Sequence, residues 1–137
     1  MRIFLDANIL FSAAKSDGGV RSLLTRLLAT PHECWVDGYV AEEARRNILA
    51  KAPKSLPELD RLLAQLHVTL SVPDVRRVKA FRGLAEKDQP VLAAAAALGC
   101  EILVTGDRSH FGRFYGRSLA GVTIHSPRSL FEHLFHP

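Results

Sequence analysis

Four acidic residues far apart in the chain, Asp6, Glu43, Asp88 and Asp107, each fall where a strand is expected to end or a helix to begin. Carboxylates gathered at one point repel one another and raise their own pKa values, and a divalent cation relieves that repulsion. Hard oxygen ligands favour Mg²⁺ or Mn²⁺ over softer metals. The six histidines are scattered and offer no zinc-like spacing. A cation held by carboxylates, with positions left for water, suits phosphoryl chemistry: it polarises a phosphate oxygen, generates a hydroxide-like nucleophile and stabilises the leaving oxygen. Asp6, Asp88 and Asp107 are therefore the expected metal ligands, with Glu43 close by or acting through water.

Each acid also has a plainer reading. Asp88 precedes Gln89-Pro90 and reads as a helix cap. Asp107 suits a turn, and Glu43 a solvated helix charge. Asp6 is harder to dismiss, because an acid directly after a buried strand and beside Ile9 and Leu10 is costly without a partner. His110 invites a role as a general base, but a surface or hydrogen-bonded histidine is the simpler expectation.

The elements that must position these acids alternate between strand-like and helical runs. Strands are expected at Arg2–Leu5, Cys34–Val36, Val68–Leu70, Glu101–Val104 and Val122–Ile124. Helices are expected at Asn8–Lys15, Val20–Ala29, Tyr39–Ala50 and Leu56–Leu66, then from Pro73 to about Leu84, over Val91–Leu98, and from Pro127 to about Phe135. Asp37-Gly38 reads as a turn, and Gly99 as a helix stop. Strands separated by helices imply a mostly parallel sheet with right-handed crossovers and helices on both faces. Ligands of such sheets bind beyond the carboxyl ends of the strands, where the strand order reverses. Asp6 and Asp107 follow strands directly, while Glu43 and Asp88 lie near the starts of helices that leave the same edge or return from it.

The chain has 137 residues, 47% hydrophobic and 23% charged, enough for one domain with a real core across 1–137. Cys34 and Cys100 lack ligand spacing and read as buried thiols, which suits a cytoplasm. No run approaches the roughly 20 apolar residues of a membrane span. The opening MRIFLDANIL is broken by Asp6 and Asn8, unlike a signal-peptide core, so a soluble cytoplasmic protein with no membrane partner is expected. The net charge of +4 is mild evidence for a polyanionic partner. Arg76, Arg77, Lys79 and Arg82 cluster, and the stretch from Arg108 to Phe131 holds four arginines and no acid. Both are solvated faces taken alone. Beside a carboxylate crevice they would hold flanking phosphates, with Arg108 the expected substrate contact.

The segments "RIFLDANIL", "VAEEARRNIL" and, above all, "EKDQPVLAAAAALGCEILVTGDRSHF" resemble the PIN-domain ribonucleases, in the family's order and over nearly the whole chain. The resemblance implies a PIN-like three-layer α/β sandwich and Mg²⁺- or Mn²⁺-dependent cleavage of single-stranded RNA. Asp6, Asp88 and Asp107 match the first, third and fourth family acids. The second falls within Glu42-Glu43, and Glu43 is preferred because it precedes "AR". Asn8 and Thr105 match positions that support the acids by hydrogen bonding. Many relatives carry a further aspartate after the last acid; "RSHFGRFYG" has none, which places a full second metal site in doubt. Small members are often the toxin half of toxin–antitoxin pairs, the VapC-like proteins, which implies a homodimer and an antitoxin partner.

A homodimer is also expected from the density of Phe111, Phe114, Tyr115, Leu130, Phe131, Leu134 and Phe135, which exceeds what a final helix needs to cover a sheet. The rival readings are an RNA-processing nuclease, another phosphodiesterase or phosphatase, or a nucleic-acid-binding module without activity. A nucleotide-binding fold is disfavoured, since no G-x-G-x-x-G follows the first strand.

Overall fold

A computed structural model describes residues 1–70 and 83–135. The basic cluster of Arg76, Arg77, Lys79 and Arg82, and nearly all of the helix expected from Pro73, lie outside the described residues.

The chain begins with β1 (Arg2–Leu5), whose Ile3, Phe4 and Leu5 are fully buried. Apolar side chains on successive residues need cover on both faces of a sheet. Helices α1 (Ala7–Lys15) and α2 (Gly19–Leu28) lead to β2 (Glu33–Asp37). Next come α3 (Gly38–Lys51), a 3-10 turn at Pro53–Ser55, α4 (Leu56–Leu63) and β3 (His67–Thr69). After the undescribed segment, a 3-10 turn at Glu86–Asp88 enters α5 (Gln89–Ala97) and β4 (Ile102–Val104). A four-residue α6 (Arg108–Phe111), a further 3-10 turn (Gly112–Phe114), β5 (Ser118–Leu119), β6 (Val122–His125) and α7 (Pro127–Phe135) complete the described chain.

The strands form one sheet in the order β3-β2-β1-β4-β6-β5, parallel throughout except for β5 against β6. The chain builds outward from β1 to β3 and then crosses back to β4 on the other side of β1. The order thus reverses between β1 and β4. A right-handed crossover after the reversal puts its helix on the opposite face, and α5 packs on β4 and β6 while α1 packs on α2, α3 and α4. Ala93, Ala94 and Ala95 are buried in α5, where small side chains let the helix backbone approach the sheet closely. Gly99 stops that helix at φ +68, a left-handed conformation that costs glycine little.

Two expectations change here. Asp37 is not a turn residue: it ends β2, and its Oδ1 accepts from Val40 N at 3.0 Å as the N-cap of α3. The apolar residues of the last third are mostly not surplus either. Phe111, Phe114 and Leu130 are buried, and Tyr115, Leu134 and Phe135 pack against the core. Phe131 alone of the seven is exposed, at 41%. The undulating 3-10 and hairpin segment between β4 and β6 absorbs the aromatic side chains that periodicity left unassigned.

Candidate active site

The reversal point opens a cavity of about 160 Å³ lined by Asp6, Asn8, Glu43, Asp88 and Asp107, together with Ala7, Asn47, Lys87 and Val91. Leu5 of β1 pairs with Val104 of β4, so the next residues on each strand, Asp6 and Thr105, emerge side by side. Glu43 comes from α3 and Asp88 from the entrance to α5. Four separate elements thus bring the four predicted acids to one wall. Glu42, the alternative to Glu43, is exposed and does not line the cavity.

Asp6 is 5% exposed and tightly held. Its Oδ1 accepts from Ala7 N at 2.8 Å, and its Oδ2 from Thr105 Oγ1 at 2.8 Å and Asn8 Nδ2 at 3.2 Å. Asn8 and Thr105, expected to support the acids, also bond to each other at 3.2 Å. Asn8 Oδ1 accepts from Gly106 N at 2.8 Å, and Thr105 Oγ1 from Asp107 N at 3.2 Å. Burial nevertheless pushes the Asp6 carboxyl up to about 6; the bonds from Thr105 and Ala7 oppose the rise, while the charges of Glu43 and Asp88 add to it.

Asp88 stands at the N-cap position of α5, but its side chain makes no capping hydrogen bond. The helix-cap reading is therefore incomplete: the carboxylate turns toward His110, whose Nδ1 is 2.9 Å from Asp88 Oδ2 and 3.1 Å from Asp107 Oδ2. These are contacts of charge and distance only, because Asp88 Oδ2 and His110 Nδ1 are both buried and neither has a partner in hydrogen-bonding geometry. Burial raises the Asp88 pKa, while His110 and Lys87 hold it down. Asp107 goes the other way. Burial opposes its ionisation, but bonds from Ser109 Oγ and His110 N and the nearby His110 and Lys87 outweigh it, and its pKa is lowered.

Sequence reasoning passed over Lys87 and Asn47 and set His110 aside. His110 is only 30% exposed at its side chain and faces two acids, so it is not simply a surface histidine. Its place three residues after Asp107, on the first turn of α6, was the available signal. Asn47 lies one helical turn beyond Glu43 on α3, and so shares its face. Arg108 is exposed and does not line the cavity; Lys87 is the cation that does, among the described residues.

The donor set fits a hard divalent cation. It is rich in carboxylate oxygen, and ligand atoms of Asp88, Asp107 and His110 lie within 4.8 Å of one another. Asp88 Oδ2, buried without a hydrogen bond, is the kind of orphan that a bound cation would satisfy.

The sheet order and the layers of helix define a PIN-like α/β sandwich. No protein-family model matches the chain, and neither does any curated protein. Among solved structures the chain is similar to VapBC2 from Rickettsia felis bound to a DNA fragment from its promoter, with TM-score 0.67 and 17% identity over 92% of this chain and 98% of that one. It is similar to PAE2754 from Pyrobaculum aerophilum at TM-score 0.67 and 18% identity, over 98% of this chain and 95% of that one. VapBC-1 from nontypeable Haemophilus influenzae gives TM-score 0.63 and 13% identity, over 93% of this chain and 99% of that one. At such identities the likeness is one of fold.

Proposed function

We propose that the protein is a metal-dependent endoribonuclease that cleaves single-stranded RNA, and that it serves as the toxin of a toxin–antitoxin pair. The observation that carries the reading is the convergence of Asp6, Glu43, Asp88 and Asp107 on one cavity at the point where the strand order reverses. Asp6, Asp88 and Asp107 would hold Mg²⁺ or Mn²⁺. When bound, such a cation supplies Lewis-acid polarisation of the phosphate and lowers the pKa of the attacking water.

The chain's own residues do the positioning. Asn8 and Thr105 fix both the Asp6 carboxylate and the loop that carries Asp107. Glu43 lines the same cavity and would accept a proton from water. Lys87, on the rim, neutralises a flanking phosphate. The toxin assignment rests on the fold shared with the structures named VapBC2 and VapBC-1; on that reading an antitoxin and a second copy of the chain are the expected partners.

Cleavage of a labelled single-stranded RNA with and without EDTA tests the reading. Asp6→Asn should lower the rate about 100-fold or more, the scale on which loss of one preorganised electrostatic group acts. Full activity in EDTA, or in a clean Asp6→Asn preparation, would refute it.

A further inference from the structure

The contacts of His110 are not explained by a site made of carboxylates alone. Its Nδ1 approaches Asp88 Oδ2 and Asp107 Oδ2 at 2.9 and 3.1 Å, within hydrogen-bond distance of both, yet it bonds to neither. The rest of Asp107 is already committed: its Oδ1 accepts from Ser109 Oγ at 2.9 Å and from His110 N at 3.2 Å. These two bonds fix the carboxylate and leave Oδ2 turned to the histidine. Asp88 has no capping bond to hold it elsewhere. Two buried polar atoms, Asp88 Oδ2 and His110 Nδ1, therefore meet without a hydrogen bond, beside Asp107 Oδ2.

The spacing has a simple geometric meaning. Adjacent ligands of an octahedral cation with bonds near 2.1 Å stand about 3.0 Å apart, because an octahedron's edge is √2 times its centre-to-vertex length. The two nitrogen–oxygen separations are compatible with that edge, and all three ligand atoms lie within 4.8 Å of one another.

We infer that His110 Nδ1 is a metal ligand beside Asp88 and Asp107, making this part of the cavity a mixed nitrogen–oxygen site that favours Mn²⁺ over Mg²⁺. Mg²⁺ keeps its water and takes oxygen ligands, whereas Mn²⁺, although it too suits carboxylate, is a first-row transition cation and tolerates one imidazole nitrogen in its shell better than Mg²⁺ does. The inference rests on the metal-dependent reading above and adds the nitrogen donor and its selectivity.

Metal-free protein titrated with Mn²⁺, and separately with Mg²⁺, tests it by calorimetry and by electron spin-echo measurement of the bound Mn²⁺. Wild-type protein should show ¹⁴N coupling from a directly bound imidazole, a readout that needs no variant to fold. His110→Ala and His110→Phe should lose that coupling and weaken Mn²⁺ binding by at least about tenfold, while Mg²⁺ binding changes by less than about threefold. Bound Mn²⁺ without ¹⁴N coupling, or variants that bind Mn²⁺ as tightly as wild type, would overturn the role of His110 and leave the carboxylate site standing. Failure of both cations to bind at about 10 mM would overturn the metal reading itself.

Discussion

Burial of the Asp6 carboxyl should make the fold less stable as the pH rises, and Asp6→Asn isolates that effect. Burial, opposed by bonds from Thr105 and Ala7, lifts its pKa from 3.8 to about 6. At 1.36 kcal/mol per pKa unit, that rise corresponds to roughly 3 kcal/mol of preference for the protonated form in the folded state. Because the folded pKa lies above the unfolded one, the native state holds the extra proton between the two values. Stability therefore falls as the pH rises through that window, and the full loss is present above about pH 6. The amide removes the titration at a fixed cost. Oδ2 accepts from Thr105 Oγ1 and Asn8 Nδ2, and Oδ1 from Ala7 N, so an amide nitrogen must face at least one donor. That mismatch costs about 1–3 kcal/mol, equally at every pH. The change in the difference between the two proteins thus reports the carboxyl alone. Relative to wild type, Asp6→Asn should gain roughly 2–3 kcal/mol between about pH 4 and about pH 7.5. Urea denaturation followed by far-UV circular dichroism measures it, with EDTA present because a bound cation would favour the anion. A difference that stays constant within about 0.5 kcal/mol across that range would refute the reasoning.

Lys87→Ala should weaken binding of single-stranded RNA to the inactive Asp6→Asn protein and make the slope of log affinity against log salt shallower by about 0.7, the value for one phosphate contact; an unchanged slope would remove Lys87 from the RNA path. Light scattering over a concentration series tests the homodimer, and a strict monomer at about 100 μM would count against it. Co-expression with any short reading frame immediately upstream tests the antitoxin: toxicity that vanishes in Asp6→Asn and under co-expression supports the pair, and harmless expression of active enzyme favours a processing nuclease.

The elements that build the reversal point were legible because their signals are local. Arg2–Leu5 is a run of buried apolar residues, and the observed β1 has the expected bounds. Gly99 marks the end of α5, and EILV contains β4. Legibility failed where tertiary contacts override local preference. Asp88 has the sequence of a helix cap, yet its carboxylate lies against His110, a partner supplied by a segment some twenty residues later. The β5–β6 hairpin turns on Ala120 and Gly121, both at positive φ. Alanine is a poor signal for that conformation, so the hairpin and the short β5 went unread. The aromatic residues of the last third looked like an interface because α6 and its 3-10 extension, which bury Phe111 and Phe114, are too short to show periodicity.

The surroundings sort the clustered acids by their willingness to ionise. Burial raises Asp6 and Asp88, while local hydrogen bonds and nearby cations lower Asp107. Asp107 is then the acid that stays anionic without help, and Asp6 and Asp88 must give up any proton they hold in order to act as ligands. On the proposed metal-dependent reading, cation binding at this cavity would be linked to proton release and would weaken as the pH falls toward the Asp6 value of about 6. The same Asn8 and Thr105 bonds that offset part of the Asp6 burial cost also join the end of β1 to the loop after β4. A substitution that relieves the buried charge recovers part of that cost at neutral pH but would remove a proposed metal ligand, so on the proposed reading stability and catalysis pull in opposite directions at this cavity.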